Sequence, residues 1–151
     1  MERGRAELLM RFAIALGVVG AAIALATPAS AAAPNYILVS GRALAHPVLL
    51  ADWNENADFL LALANAPRAS STVARTLRNR PRLDLAEFWG WSRRPRPRRA
   101  ADANQHGTFY PAYRGRVAVI TITVNGLTAP RIAPRKALRI LARHGVPIRR
   151  G

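Results

Sequence analysis

Apolar positions along the chain fall into one long run and a series of short ones. From Phe12 to Ala26 the sequence reads FAIALGVVGAAIALA, without a charge. After Pro34 the apolar residues break into segments of strand or helix length. Tyr36-Ile37-Leu38-Val39-Ser40 is a β-branched run closed by Gly41, and Pro47-Val48-Leu49-Leu50 is a second, which predicts two strands paired across a short connection. Asp52 with Glu55 three residues on forms the acidic variant of a capping box. Trp53, Ala57, Leu60, Leu61 and Ala64 share one face at helical spacing, so a helix is expected to run to about Asn65, before Pro67. Residues 66–82 carry no decisive period, although Val73, Ala74 and Leu77 allow a short helix.

Leu83, Leu85 and Phe88 in LDLAEFWG predict a third strand. Residues 92–107 are polar, basic and proline-bearing, and read as a loop. Thr108-Phe109-Tyr110 and Val117 to Val124 read as two further strands joined around Arg114-Gly115. In the second, Ala118, Ile120, Ile122 and Val124 alternate with Val117, Val119, Thr121 and Thr123, and Asn125-Gly126 ends it. Pro134 suits a first helical residue and Gly145 the residue after a helix end. Ala133, Ala137, Ile140 and Leu141 form the apolar stripe of that helix, with Arg135, Lys136, Arg139 and Arg143 over the rest. The order of elements predicts an α+β fold: a small, mostly antiparallel sheet of about five strands with two main helices on one face.

The long run has the layout of a secretory signal. Arg3, Arg5 and Arg11 make a positive start diluted by Glu2 and Glu7, and Ala29-Ser30-Ala31 supplies the small side chains a signal peptidase requires. A start at Met10 would give the tidier version of the same signal. An uncleaved anchor is the rival, since Phe12 to Ala33 is nearly long enough to span a bilayer; the cleavage box and the glycines at 17 and 20 favour removal. No second apolar run of spanning length follows. The expectation is a cleaved leader over 1–31 and one secreted, soluble, monomeric domain over 32–151.

Composition narrows the chemistry. The 151 residues include no cysteine, which excludes disulfides, thiolate metal sites and a cysteine nucleophile. Removing the leader leaves 20 basic and 6 acidic residues, a net of +14, and Lys136 is the one lysine. GC-rich coding produces such an arginine bias by itself, yet the field is real and attracts nucleic acid, anionic envelope polymers or acidic headgroups.

Candidate sites are few. Asp52, Asn54, Glu55, Asn56 and Asp58 resemble a calcium loop, but Ala57 and Leu63 stand where an EF-hand needs glycine and a bidentate glutamate; helix capping accounts for the carboxylates. His46, His106 and His144 lack zinc-site spacing, and no metal or cofactor is expected. Asn104, Gln105 and His106 gather three hydrogen-bonding side chains before an aromatic strand, a cluster able to bind a polar ligand, hold a general base or simply organise a loop. Arg93, Arg94, Arg96, Arg98 and Arg99 fall within seven residues, spaced by Pro95 and Pro97 and preceded by Trp89 and Trp91. Such a segment cannot enter a core, and arginines beside aromatics are how proteins hold single strands and other polyanions; a solvated basic loop beside core tryptophans is the plainer reading.

The segments LDLAEFWG, ANQHGTFYPAYRG and ALRILARHGVP resemble small exported proteins of GC-rich actinobacteria to which no function is assigned. That resemblance implies secretion and brings no activity, ligand or catalytic residue. The sequence therefore points to a non-enzymatic binding protein for anionic polymers at the cell envelope. The alternatives are a small hydrolase using His106 and a protein-binding or inhibitor module presenting Trp89 and Trp91. The leader gives the first testable consequence: intact-mass analysis of the secreted protein is expected to start within about two residues of Ala32, and full-length membrane-held material as the sole product would refute it.

Overall fold

Strand alternation decides how the sheet is covered. The computed structural model describes residues 33–91, 94–124 and 126–150; the expected leader over 1–31, Arg93 and Asn125 lie outside them. Six strands form one antiparallel sheet in the order β2-β1-β3-β4-β6-β7: β1 Tyr36–Ser40, β2 Val48–Leu50, β3 Leu83–Phe88, β4 Gln105–Tyr110, β6 Val119–Val124 and β7 Leu127–Ile132. Two short strands, β5 Ala112–Tyr113 and β8 Arg149–Arg150, make a separate parallel pair. The helices are α1 Trp53–Ala64, α2 Ser71–Thr76 and α3 Arg135–Arg143, with 3₁₀ turns at Leu77–Asn79 and Ala100–Asp102. The class is α+β, as the order of elements predicts.

One face of the sheet carries Ile37 and Val39 of β1, Leu83 and Leu85 of β3, Phe109 of β4, and Ile120 and Ile122 of β6. Against them pack Phe59 and Leu63 of α1 and Ala137, Ile140 and Leu141 of α3 in a single core. Each large side chain so buried contributes on the order of 2 kcal/mol. The stripe expected for α3 is the one observed. Its end is fixed by Gly145 at φ 80°, with Gly145 N donating to Ala142 O at 3.0 Å and Val146 N to Leu141 O at 3.0 Å. This paired closure satisfies carbonyls that the helix end leaves open.

For α1 the cap is as expected and the face is not. Glu55 N donates to Asp52 Oδ1 at 3.0 Å, but Glu55 does not reach back to complete the box. Its carboxylate instead receives Arg143 Nη2 at 2.7 Å and His144 Nε2 at 2.6 Å, tying α1 to the end of α3. The buried positions are Asn56, Phe59 and Leu63, whereas Trp53 and Leu61 are about half exposed. The buried face contains a polar residue, which disguises it in the sequence. Asn56 Nδ2 donates to Pro34 O at 3.1 Å, Asn35 O at 3.3 Å and Leu50 O at 3.4 Å, satisfying loop and strand carbonyls under the helix.

Two further corrections concern strands. β7 was not expected, because Pro130 interrupts its pattern. It lies at a sheet edge, and Pro130 O accepts from Ala69 N at 2.9 Å on the outer side, where the missing N–H would also have faced. β4 begins at Gln105, so Gln105, His106 and Gly107 are strand residues and not the end of a loop. Gly107 makes that possible: a Cβ there would stand 2.6 Å from Thr121 O of the neighbouring β6. Gly107→Ala should accordingly separate β4 from β6 and lower stability by about 2 kcal/mol, read as a reduced midpoint in urea denaturation; an unchanged midpoint would mean the two strands are not this close.

Candidate functional site

The second face of the sheet is also apolar. Leu38 of β1 with Ala86 and Phe88 of β3 form a smaller cluster, and among the described residues no α-helix covers them. The cover is the connection from β3 to β4, which supplies Trp91, Ala100 and Ala103. Trp91 meets Phe88 edge-on, with ring centroids 4.9 Å apart, an arrangement favoured by the aromatic quadrupole. Backbone bonds pin the connection at both ends: Trp91 N donates to Asn35 Oδ1 at 2.7 Å and Asn104 N to Glu87 O at 2.9 Å.

Between those anchors residues 94–99 run without helix or strand. Pro97 is buried, while Arg94, Pro95, Arg96, Arg98 and Arg99 are exposed. One buried proline thus sits between two pairs of exposed arginines. Together with Trp91, Pro95, Pro97 and Asp102, three of these arginines line a shallow cleft of about 440 Å³. The Arg94 guanidinium lies 5.1 Å from the centre of the Trp91 ring, a cation–π contact. Arg99 pairs with Asp102 at 3.4 Å, an exposed contact worth little in water. Among the described residues no other carboxylate pairs with the segment.

The remaining candidate residues do not converge. Trp89 lies on the other side of the sheet from Trp91: its Nε1 donates to Glu87 Oε2 at 3.2 Å, and its backbone N to Asn104 Oδ1 at 2.7 Å. The two tryptophans therefore present no common apolar surface. Gln105 sits directly opposite Glu87 across β3 and β4, and His106 directly opposite Ala86, so strand alternation sends them to opposite faces. His106 is exposed, and among the described residues no carboxylate is bonded to it. No three His, Asp or Glu side chains converge as metal ligands among the described residues, nor is any described helix long and apolar enough to cross a membrane.

Charge is sorted by element. Three of the domain's six acidic residues, Asp52, Glu55 and Asp58, belong to α1 or its cap, and two of them face α3, where Lys136 Nζ meets Asp58 at 2.8 Å. Glu87 is fully buried, which leaves Asp84 and Asp102 on the rest of the surface. A second concentration of arginines, absent from the sequence expectations, forms where β5 and β8 pair: Arg114 and Arg116 beside Arg149 and Arg150. The RGR and RR pairs are visible in the sequence, but only the parallel pairing of β5 with β8 brings them together.

No known protein family, curated protein or solved structure matches this chain. Its chemistry is therefore read from the side chains alone.

The surroundings of Glu87 change its acidity. Burial pushes it up to about 7, opposed by the Trp89 hydrogen bond. Oε1 of Glu87 and Oε1 of Gln105 are both buried without a partner, and cross-strand neighbours stand about 5 Å apart at Cβ. The folded protein holds a proton on Glu87 that the unfolded chain releases near the ordinary value of 4.5. Stability should fall as pH rises from there to about 7, by about 3 kcal/mol in all, and level off above. Urea denaturation should find Glu87→Gln equal to wild type at pH 4 and more stable at pH 8; equal stability at both would show that Glu87 is not held neutral.

Proposed function

We propose that the secreted domain is a non-enzymatic binding protein for anionic polymers, which it grips through Arg93, Arg94, Arg96, Arg98 and Arg99. The observation that carries this reading is the exposure of Arg94, Arg96, Arg98 and Arg99 on a segment whose intervening Pro97 is buried. The backbone is thus seated before any ligand arrives, so little conformational entropy is lost on binding. Guanidiniums accept phosphate, sulfate or carboxylate groups through forked hydrogen bonds. With one exposed carboxylate nearby, an incoming polymer also relieves repulsion among the arginines themselves.

The geometry favours recognition by charge over recognition by base. Trp91 is half-buried and the Arg94 guanidinium already lies over its ring, so an incoming base would compete with Arg94 for it. Stacking of nucleobases, the usual partner of arginine in single-strand grooves, is therefore a minor contribution here. Single strands, duplexes and sulfated polysaccharides should all be held, in order of charge density. The hydrolase alternative loses support because no described carboxylate is bonded to His106, and the protein-binding alternative because Trp89 and Trp91 lie on different sides of the sheet.

Neutralising about five phosphates should give a log–log salt slope near −3.5 on single strands and about −4.5 on duplex. Replacing Arg93, Arg94, Arg96, Arg98 and Arg99 by glutamine should remove most of that slope and leave the melting temperature nearly unchanged, since the substitutions fall on an exposed segment. A heparin column and a salt titration decide the matter. Retention kept in full by the five-fold variant would reduce the segment to a solvated basic loop.

A further inference from the structure

At the far end of β4 from the arginine segment, a buried cation faces a cleft with no counter-ion among the described residues. Arg80 follows the 3₁₀ turn Leu77–Asn79 and is only 6% exposed. Its Nη2 donates to Pro111 O at 2.7 Å and to Val117 O at 2.8 Å, which clamps the two sides of the hairpin that carries β5. Nε and Nη1 are buried and find no acceptor among the described residues. Buried charges in proteins are almost always paired, because an unpaired one loses its hydration without compensation. Burial, and then the charge of Arg116, push the Arg80 guanidinium below its ordinary value, with Tyr110 opposing.

The hairpin adds two more guanidiniums. Tyr113 and Arg116 are bridged by Arg116 N donating to Tyr113 O at 2.9 Å and Tyr113 N to Arg116 O at 3.1 Å, which closes a two-residue turn over Arg114-Gly115. Both turn residues have positive φ, 47° for Arg114 and 74° for Gly115. The first position of such a turn normally takes Asn, Asp or Gly, and an arginine there is strained. The Arg114 guanidinium lies 5.0 Å from the centre of the Tyr113 ring. The cleft so formed, about 370 Å³, is lined by Thr76, Asn79, Arg80, Tyr113, Arg114 and Arg116. Three guanidiniums, an amide, a hydroxyl and a phenol border it, and among the described residues no carboxylate does.

We propose that this cleft binds a phosphate group, a compact tetrahedral dianion held between Arg80, Arg114 and Arg116. A dianion offsets three converging charges better than a single carboxylate does, and its oxygens accept from several directions at once. The buried Arg80 supplies a fixed charge at the base, while Arg114 and Arg116 close over the ligand from the turn. The strained backbone at Arg114 fits a position kept for ligand contact at a cost in stability. The site is separate from the arginine segment and stands whether or not that segment binds polymers. The phosphate group can come from a soluble compound or from a lipid headgroup.

Arg80 also holds the hairpin carbonyls, so its replacement would test folding first; the informative variants are Arg114→Asn and Arg116→Gln. Inorganic phosphate should raise the melting temperature of the full chain in a saturable way, above sodium chloride at equal ionic strength. Calorimetric titration should give each single variant about tenfold weaker binding of phosphate, and the double variant about a hundredfold. Arg114→Asn should in addition melt higher than wild type in the absence of phosphate, a result that loss of structure cannot imitate. The variant with glutamine at 93, 94, 96, 98 and 99 should keep the whole phosphate response, which separates this site from the polymer-binding segment. Vesicles with and without phosphatidic acid, whose phosphomonoester can carry two charges, distinguish the sources. A response to free phosphate assigns a soluble ligand, and a response to phosphatidic acid vesicles alone, lost in Arg114→Asn with Arg116→Gln, assigns the headgroup. The proposal is overturned if neither probe binds, if chloride raises the melting temperature equally, or if the double variant binds as wild type does.

Discussion

A sheet that is apolar on both faces obliges the chain to cover it twice, and among the described residues only one cover is α-helical. Ile37, Val39, Leu85, Phe109 and Ile120 are closed off by α1 and α3. Leu38, Ala86 and Phe88 on the reverse are closed off by the β3–β4 connection. For the reverse cluster to stay dry, Trp91, Ala100 and Ala103 must stay down on it. The charged residues between them are left to point away from the cluster. The exposed guanidiniums are thus a by-product of burying three hydrophobic side chains.

Much of the fold was legible because apolar runs and stop signals coincided. β1 closes at Gly41, and α3 lies between Pro134 and Gly145 with its stripe intact, so local and tertiary preferences agree there. Where they disagree, the sequence misled. The buried face of α1 carries Asn56, whose apolarity is zero and whose value lies in three carbonyls supplied by distant parts of the chain. β7 tolerates Pro130 only because it is an edge, and edge position is a property of the whole sheet. Gln105 and His106 read as loop because their company is polar; a glycine that permits close strand approach was the available signal.

The site was legible in the same uneven way. Five arginines in seven residues announce exposure from composition alone, whatever the fold. Arg80 announces nothing, since an isolated arginine after a short helical turn is commonplace. Its burial follows from carbonyls at Pro111 and Val117, more than thirty residues away. Arg131 behaves likewise, donating to Ala66 O at 3.0 Å and Ala64 O at 3.4 Å at the end of α1. Both use a long cation to bind loose carbonyls where two segments meet, a task that a hydrophobic side chain cannot perform. In a chain this rich in arginine, some of the excess has become internal scaffolding.

The treatment of the sheet margins has a consequence for behaviour in concentrated solution. An open strand edge is a template on which another chain can polymerise. Here β2 is three residues long and follows Pro47, while the outward bonds of β7 are taken by residues 67–69, through Ala69 N to Pro130 O and Ile132 N to Pro67 O. Neither margin offers a long free ladder. Half of the chain's residues are apolar, yet edge-to-edge growth into fibres has nowhere to begin on the folded domain. Solubility at high loading then depends on keeping those few margin contacts closed, and residues 67–69 are where it would first fail.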